Sequence, residues 1–231
     1  MTNRNKIVNH IAKSHAKALR ERKQYVLHGS ISVFIKDAMP DNVQVQGVLN
    51  DIERLIPSHL MYSVDTIYVG QFQDLIDRSV NAVYDNGAIY VTNMQDSAAD
   101  MLDDIIHEIA HAAESTYGYE IYGDGDLEQE FLGKRNKMES LLRYQGFETK
   151  DYDFLNPEYS KEFDEFLYQE VGYAKLNNLT NHLFSSAYGA TSLREYFANG
   201  FEHFYLANPK HIRQTSPVLF SKLQLLYSLE E

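Results

Sequence analysis

Cysteine is absent from this chain of 231 residues, which excludes disulfides and thiolate metal ligands. A strong metal site here must be built from His, Asp and Glu, and the absence fits a reducing compartment. No apolar run approaches the roughly 18 residues that a membrane span requires. The opening residues, Met-Thr-Asn-Arg-Asn-Lys, lead into a polar, charged stretch and not an apolar one, so no secretory signal is expected. No internal repeat, linker or low-complexity tract divides the sequence. What remains is a chain with 44% apolar residues, enough for a substantial core in one domain with, at most, a small N-terminal addition.

Positive charge is scarce and unevenly placed. Residues 1–25 hold seven Lys/Arg against one acid, Glu21, a net of +6 in a chain of total charge −12, which leaves −18 for the remainder. Ile7, Val8, Ile11, Ala18 and Leu19 give that segment a helical stripe. It reads either as a basic surface helix docked on an acidic body or as an arm for a nucleic acid, membrane or protein partner. The acidic body, residues 26–231, argues against nucleic acid as the main ligand.

Alternation marks Ile31–Lys36 and Thr66–Phe72 as strands, and Val45, Val48, Leu49, Ile52 and Ile56 mark a helix within 42–56, closed by Pro57. Asn86-Gly87 between two β-prone runs, Val80–Tyr84 and Ala88–Thr92, is a hairpin signal. Asp96 or Ser97 then offers an N-cap, and Ala98–Ser115 runs without Gly or Pro, with Met101, Leu102, Ile105, Ile106, Ile109, Ala110 and Ala113 as its apolar stripe. Tyr117–Asp126 reads as a loop, with Asp124-Gly-Asp126 a plain turn because the other positions of a calcium loop are missing. Leu127–Gln145 and Glu158–Leu183 read as helices.

The chemistry lies in the helix after the hairpin. Residues 107–111 are His-Glu-Ile-Ala-His, and positions four apart share a helix face, so His107 and His111 can point at one ion with Glu108 beside it. In that pattern two neutral imidazoles hold Zn²⁺ and the carboxylate takes a proton from bound water. A catalytic zinc takes a third protein ligand. Glu114 lies one turn beyond His111, too far along the axis to share the ion. Glu195 opens an apolar helix carrying Phe197, Phe201, Phe204 and Tyr205. It is either the third ligand or half of a capping box, Ser192-x-x-Glu195, and Glu202, two turns on, is its rival. Asp103 and Asp104 lie near the histidine face, where they either hold an imidazole N–H or favour the N-terminal half of the helix. His182, His203 and His211 read as surface or core histidines. The 17 Tyr read as packing groups, with an aromatic cleft as the alternative.

The segment Tyr188-Gly-x-Thr-x-x-x-Glu195-x-Phe-Ala-x-x-Phe201, downstream of His107–His111, resembles the catalytic domain of anthrax lethal factor, in a family of zinc peptidases that includes the Pro-Pro endopeptidases. The tail, with Thr215-Ser216-Pro217-Val218-Leu219-Phe220 entering a last helix, is also similar. The resemblance covers about residues 80–115 and 185–225. It implies an α+β, zincin-like metallopeptidase domain, mostly helical, with a small twisted sheet covering the HExxH helix. It further implies Glu195 as the third zinc ligand and Tyr188 as the donor to a developing oxyanion. The expected activity is zinc-dependent endopeptidase, with a peptide or protein substrate paired along an edge strand, Gly87–Thr92 being the candidate. Family members of defined activity are exported or secreted, whereas this sequence shows no export signal. The expected location is therefore the cytoplasm, or a phage particle or other package. The alternative is a non-proteolytic protein that keeps a zinc site. A di-iron helical protein would need two Glu-x-x-His motifs, and only Glu108-x-x-His111 is present.

Overall fold

The structure is a computed structural model that describes residues 24–229. The basic segment 1–25 lies outside the described residues except for Gln24 and Tyr25, which open the first strand. The chain is α+β, and the described residues form two compact units, one of residues 24–54 and 64–105 and the other of 55–63 and 106–229.

The first unit is a five-stranded mixed sheet in the order β1-β2-β3-β5-β4. The strands are β1 (Gln24–Leu27), β2 (Ile31–Ile35), β3 (Thr66–Val69), β4 (Ala82–Asp85) and β5 (Ala88–Val91). Pairs β1/β2 and β4/β5 are antiparallel hairpins, while β2/β3 and β3/β5 run parallel. A parallel pair needs a crossover, and α1 (Val45–Leu55) lies between β2 and β3 in the chain. Asn86 and Gly87 both have positive φ, 45° and 88°, as a two-residue hairpin turn demands. Register places Val33, Ile67 and Ile89 in one row, all fully buried. The next row, Phe34, Tyr68 and Tyr90, faces the other way, and its rings stack at 5.6 and 5.3 Å between centroids. A short helix, α2 (Gln73–Arg78), follows β3.

Two sequence expectations need correction here. Gly87–Thr92 is no edge: β5 is hydrogen-bonded to β3 on one side and β4 on the other, and the outer strands are β1 and β4. The third strand ends at Val69, short of the expected Phe72, and Gly70 sits so close to Lys36 that a Cβ there would lie 2.8 Å from the Lys36 Cβ.

The HExxH helix, α3, spans Ala98–Tyr122, and the Ser97 hydroxyl accepts the Asp100 N–H at its start. It does not stop at Ser115. It continues through Tyr117, where the backbone kinks to φ −113°, ψ 21°. The Lys222 ammonium donates to the Asp124 carboxylate at 2.6 Å. The rest of the second unit is helical: α4 (Asp126–Tyr144), α5 (Lys161–Glu165), α6 (Tyr173–Thr180), α7 (Leu193–Leu206), α8 (Pro209–Thr215) and α9 (Pro217–Ser228). The expected helix over 158–183 is broken. After α5 the chain widens into a π-helical turn, Phe166–Val171, and Gly172 at φ +81° ends it in a conformation that other residues resist.

Phe131, Phe184 and Tyr196 form a buried aromatic cluster that joins α4 to α7. Beside it the Lys134 ammonium donates to Leu183 O at 2.6 Å, Thr215 O at 2.9 Å and Ser216 Oγ at 2.6 Å, matching all three of its donors. Glu130 accepts from the Tyr196 hydroxyl at 2.9 Å and from the first free N–H groups of α9, Val218 at 2.8 Å and Leu219 at 3.1 Å.

Candidate metal centre

The helical period puts His107 and His111 one turn apart on α3, and their Nε2 atoms face each other at 3.2 Å. Glu195, in the first turn of α7, reaches the same point. Its Oε2 lies 3.0 Å from His107 Nε2 and its Oε1 lies 3.7 Å from His111 Nε2. The Ser192 hydroxyl accepts the Glu195 N–H at 3.2 Å. Serine thus caps the helix while the glutamate side chain points away to the histidines, so capping and ligation do not compete for Glu195.

What the outer nitrogens do decides what the inner ones can do. His107 Nδ1 donates to Glu202 Oε1, and His111 Nδ1 donates to Glu114 Oε2 at 2.8 Å. A carboxylate can only accept, so each Nδ1 carries the proton. Neutral rings so oriented turn two bare Nε2 lone pairs toward a carboxylate. Glu195 Oε2 is buried 3.0 Å from His107 Nε2. Two ring nitrogens and a carboxylate placed so closely need a proton or a cation among them.

The spacing fits such a cation. A tetrahedral ion with bonds of about 2.0–2.2 Å keeps its ligand atoms about 3.3–3.6 Å apart. The two Nε2 atoms are 3.2 Å apart, and the Glu195 oxygens lie 3.0 Å (Oε2) from His107 Nε2 and 3.7 Å (Oε1) from His111 Nε2, all close to that range. His107, His111 and Glu195 could therefore hold a metal ion, and they are the one such group among the described residues.

The surroundings are strongly acidic. Burial alone lowers the His107 pKa, but contacts with Glu195 and Glu202 outweigh it and raise it well above the ordinary 6.5. With no metal bound, a proton is thus drawn to the place a cation would take. Burial alone would raise Glu114, yet it is held below the ordinary carboxylate value by His111, by the Tyr122 hydroxyl and by Arg194. Arg194 Nε and Nη2 both contact Glu114 Oε2, at 3.0 and 2.9 Å.

Glu108, in the same turn of α3, is 7% exposed. Tyr188 sits in a single 3₁₀ turn, Tyr188–Ala190, that leads into α7, and its ring centroid is 6.4 Å from that of His107. Burial raises the Tyr188 phenol pKa, and the charges of Glu195 and Glu108 add to the shift. The phenol therefore keeps its proton at neutral pH and is a donor.

Sequence reasoning left Glu114, Glu202, Arg194 and Tyr122 without these roles. The His111-x-x-Glu114 spacing carried a signal, since residues three apart on a helix touch. Glu195 and Glu202, seven apart, share a face. Asp104 accepts from Gln95 Nε2 at 2.9 Å. No protein-family model, curated protein or solved structure matches this chain. Among the described residues no helix is long and apolar enough to cross a membrane.

Proposed function

We propose that this protein is a zinc-dependent endopeptidase with a zincin-like catalytic domain. One observation carries the reading. Two imidazole Nε2 atoms and a buried carboxylate converge on one point while carboxylates hold both outer nitrogens, and the residue that follows His107 in that turn is Glu108. The element order supports it: a mixed sheet ending in a hairpin, then the HExxH helix, then a third acid on a later helix. Zinc fits the donor set because two imidazoles and one carboxylate are the ligands of one common class of catalytic zinc site, with a fourth position left for water or substrate.

His107, His111 and Glu195 would hold the ion. Bound there, zinc polarises a carbonyl and lowers the pKa of water towards neutrality. The chain's own residues do the rest. Glu108 is the group in that turn of α3 that can accept a proton from the attacking water and return it to the departing amine nitrogen. Tyr188, kept protonated by burial and neighbouring negative charge, donates its O–H to the carbonyl oxygen as charge builds there. Glu202 and Glu114 hold the outer imidazole protons and so keep the inner nitrogens free. An enclosure rich in carboxylates disfavours any free anion, so the hydrolytic nucleophile has to form by proton transfer within the site.

The test is mass-spectrometric profiling of a diverse peptide library incubated with zinc-loaded protein, with Glu108→Gln as the control. The expected result is internal cleavage by the wild-type protein alone. Cleavage by both proteins would remove Glu108 from its role. Zinc bound tightly with no cleavage by either would favour the non-proteolytic alternative.

A further inference from the structure

Helix α7 contributes more to this centre than one ligand. Arg194, Glu195 and Glu202 all lie on it, and each engages a different member of the site. Glu195 faces both inner nitrogens. Glu202 accepts the outer N–H of His107. Arg194 grips Glu114 through two guanidinium nitrogens, and Glu114 accepts the outer N–H of His111. The Tyr122 hydroxyl, from beyond the kink at Tyr117, donates to the other Glu114 oxygen.

We infer that Glu202 and the Arg194–Glu114 pair are positioning residues. They set which nitrogen of His107 and of His111 faces the metal, and through them α7 fixes both histidines of α3 together with its own ligand. This rests on the metal-binding part of the function proposed above.

The geometry separates the two arms. On the His107 side the carboxylate comes directly from α7, 95 residues away in sequence. On the His111 side the carboxylate is local, three residues on, and α7 acts on it at one remove. A glutamate at i+3 on a helix has several rotamers and competing partners in water. Three donors on Glu114 remove that freedom: the imidazole N–H, the phenol O–H and the guanidinium fork. With both oxygens engaged, the carboxylate is held in one orientation. Arg suits this place better than Lys because its planar fork meets a carboxylate with two N–H groups at once. Arg194 also immediately precedes Glu195. A shift of α7 that misplaced the third ligand would therefore loosen His111 at the same moment.

The experiment measures zinc affinity of the full chain by competition with a chromophoric chelator, for wild type, Glu202→Gln, Glu114→Gln, Arg194→Met and Arg194→Lys. Melting of each metal-free protein is measured alongside. Partners one bond removed from a metal ligand change affinity by about 10–100-fold. Glu202→Gln and Glu114→Gln are expected to weaken zinc by that amount. Arg194→Met should weaken it several-fold, and Arg194→Lys should recover part of that loss. The metal-free melting temperature of Arg194→Lys should stay near the wild-type value, because the Arg194 side chain is 60% exposed and lysine keeps a cation beside Glu114. In the zinc-loaded protein, ¹⁵N spectra of the imidazoles should show a hydrogen-bonded Nδ1–H on both rings, with the His111 signal shifted in Arg194→Met and the His107 signal unmoved. The inference is overturned if zinc affinity is unchanged in all four variants. It is overturned as well if every loss of zinc is matched by a lower metal-free melting temperature, since the residues would then only pack. A protein that binds zinc as expected yet cleaves nothing sinks the endopeptidase reading and leaves this one decided. A wild type that binds no zinc sinks both.

Discussion

Two polar clusters lie buried in the helical unit, and they are built on opposite principles. At Lys134 the ammonium has three carbonyl or hydroxyl partners, and nearby Glu130 has two N–H groups and a phenol. Around His107 and His111 the outer nitrogens are satisfied with equal care, but the inner face brings two ring nitrogens and a carboxylate together with only a proton or a cation to reconcile them. A closed cluster tells of fold, because nothing further can bind to it. An open one that is otherwise well ordered tells of a ligand, because leaving buried acceptors unmatched costs free energy that the fold alone does not repay. Burial and charge do not separate the two. Saturation does.

The largest effects should come from breaking the open cluster. Glu195→Ala removes the oxygens that face both inner nitrogens, and zinc affinity is expected to fall by more than the about 100-fold that bounds indirect partners. Chelator competition reads this directly, and an affinity within threefold of wild type would remove Glu195 from the ligand set. Glu108→Gln keeps the shape and removes the base. Turnover should drop by about 10²–10⁴-fold with zinc retained, as measured by cleavage of a peptide found in the library. Tyr188→Phe is a milder cut at the same site. Loss of one oxyanion donor is expected to lower kcat by about 10²–10³-fold, with KM and zinc affinity near wild type. A change in KM alone would make Tyr188 a substrate-binding group instead.

The closed cluster should answer differently. Lys134→Met strands two carbonyls and a hydroxyl in the interior, and is expected to lower stability by about 2–4 kcal/mol in chemical denaturation. Zinc affinity should stay within about twofold. If Lys134→Met weakened zinc as strongly as it weakened the fold, the two clusters would be one coupled network and the contrast between them would fail.

The same contrast explains which parts of this protein were legible in its sequence. Local physics is written locally. The Asn86-Gly87 turn, the buried stripe of α3 and the stripe of α1 follow from side-chain period and turn chemistry, and each is where the pattern put it. His107 and His111 share a face for the same reason. Readings fail where local preference is overruled or undecided. Tyr117–Tyr122 is rich in Gly and Tyr, yet it stays helical past a kink, with Tyr122 bonded back to Glu114. Gly172 stops a run that otherwise looks continuously helical. The edge expected at Gly87–Thr92 fails because strand order is a property of the sheet, and the sequence of β5 does not say that β3 will pair on its far side. The site divides along the same line. Residue types and spacing point to His107, Glu108 and His111, and resemblance adds Glu195 and Tyr188. That Glu202 ends on His107 and Arg194 on Glu114 depends on the register of α7 along α3, which no spacing within either helix encodes.

The smallest effect is also the one that most sharpens the comparison, because it titrates the open cluster without any mutation. In the metal-free protein His107 sits between Glu195 and Glu202, and its pKa is raised well above 6.5 despite burial. A group whose native pKa is raised binds its proton more tightly in the native state. Its stabilisation is therefore complete below 6.5, the unfolded value, and is lost as pH rises through the raised native value. Metal acts in the reverse sense, since zinc and the proton compete for His107 Nε2 and zinc gains as the proton leaves. Over the same interval the metal-free protein should lose stability while the zinc affinity rises. The gap between loaded and metal-free melting temperatures should accordingly widen with increasing pH above 6.5, as read by calorimetry at fixed free zinc. Lys134→Met should lower both melting curves and leave that widening unchanged, because the closed cluster exchanges no proton with the metal. Glu202→Gln should move the onset of widening to lower pH, since the charge that holds the His107 proton is gone. A gap that stayed constant with pH in the wild type would mean that no proton leaves His107 when zinc binds, so that this ring is already neutral above 6.5 in the metal-free protein.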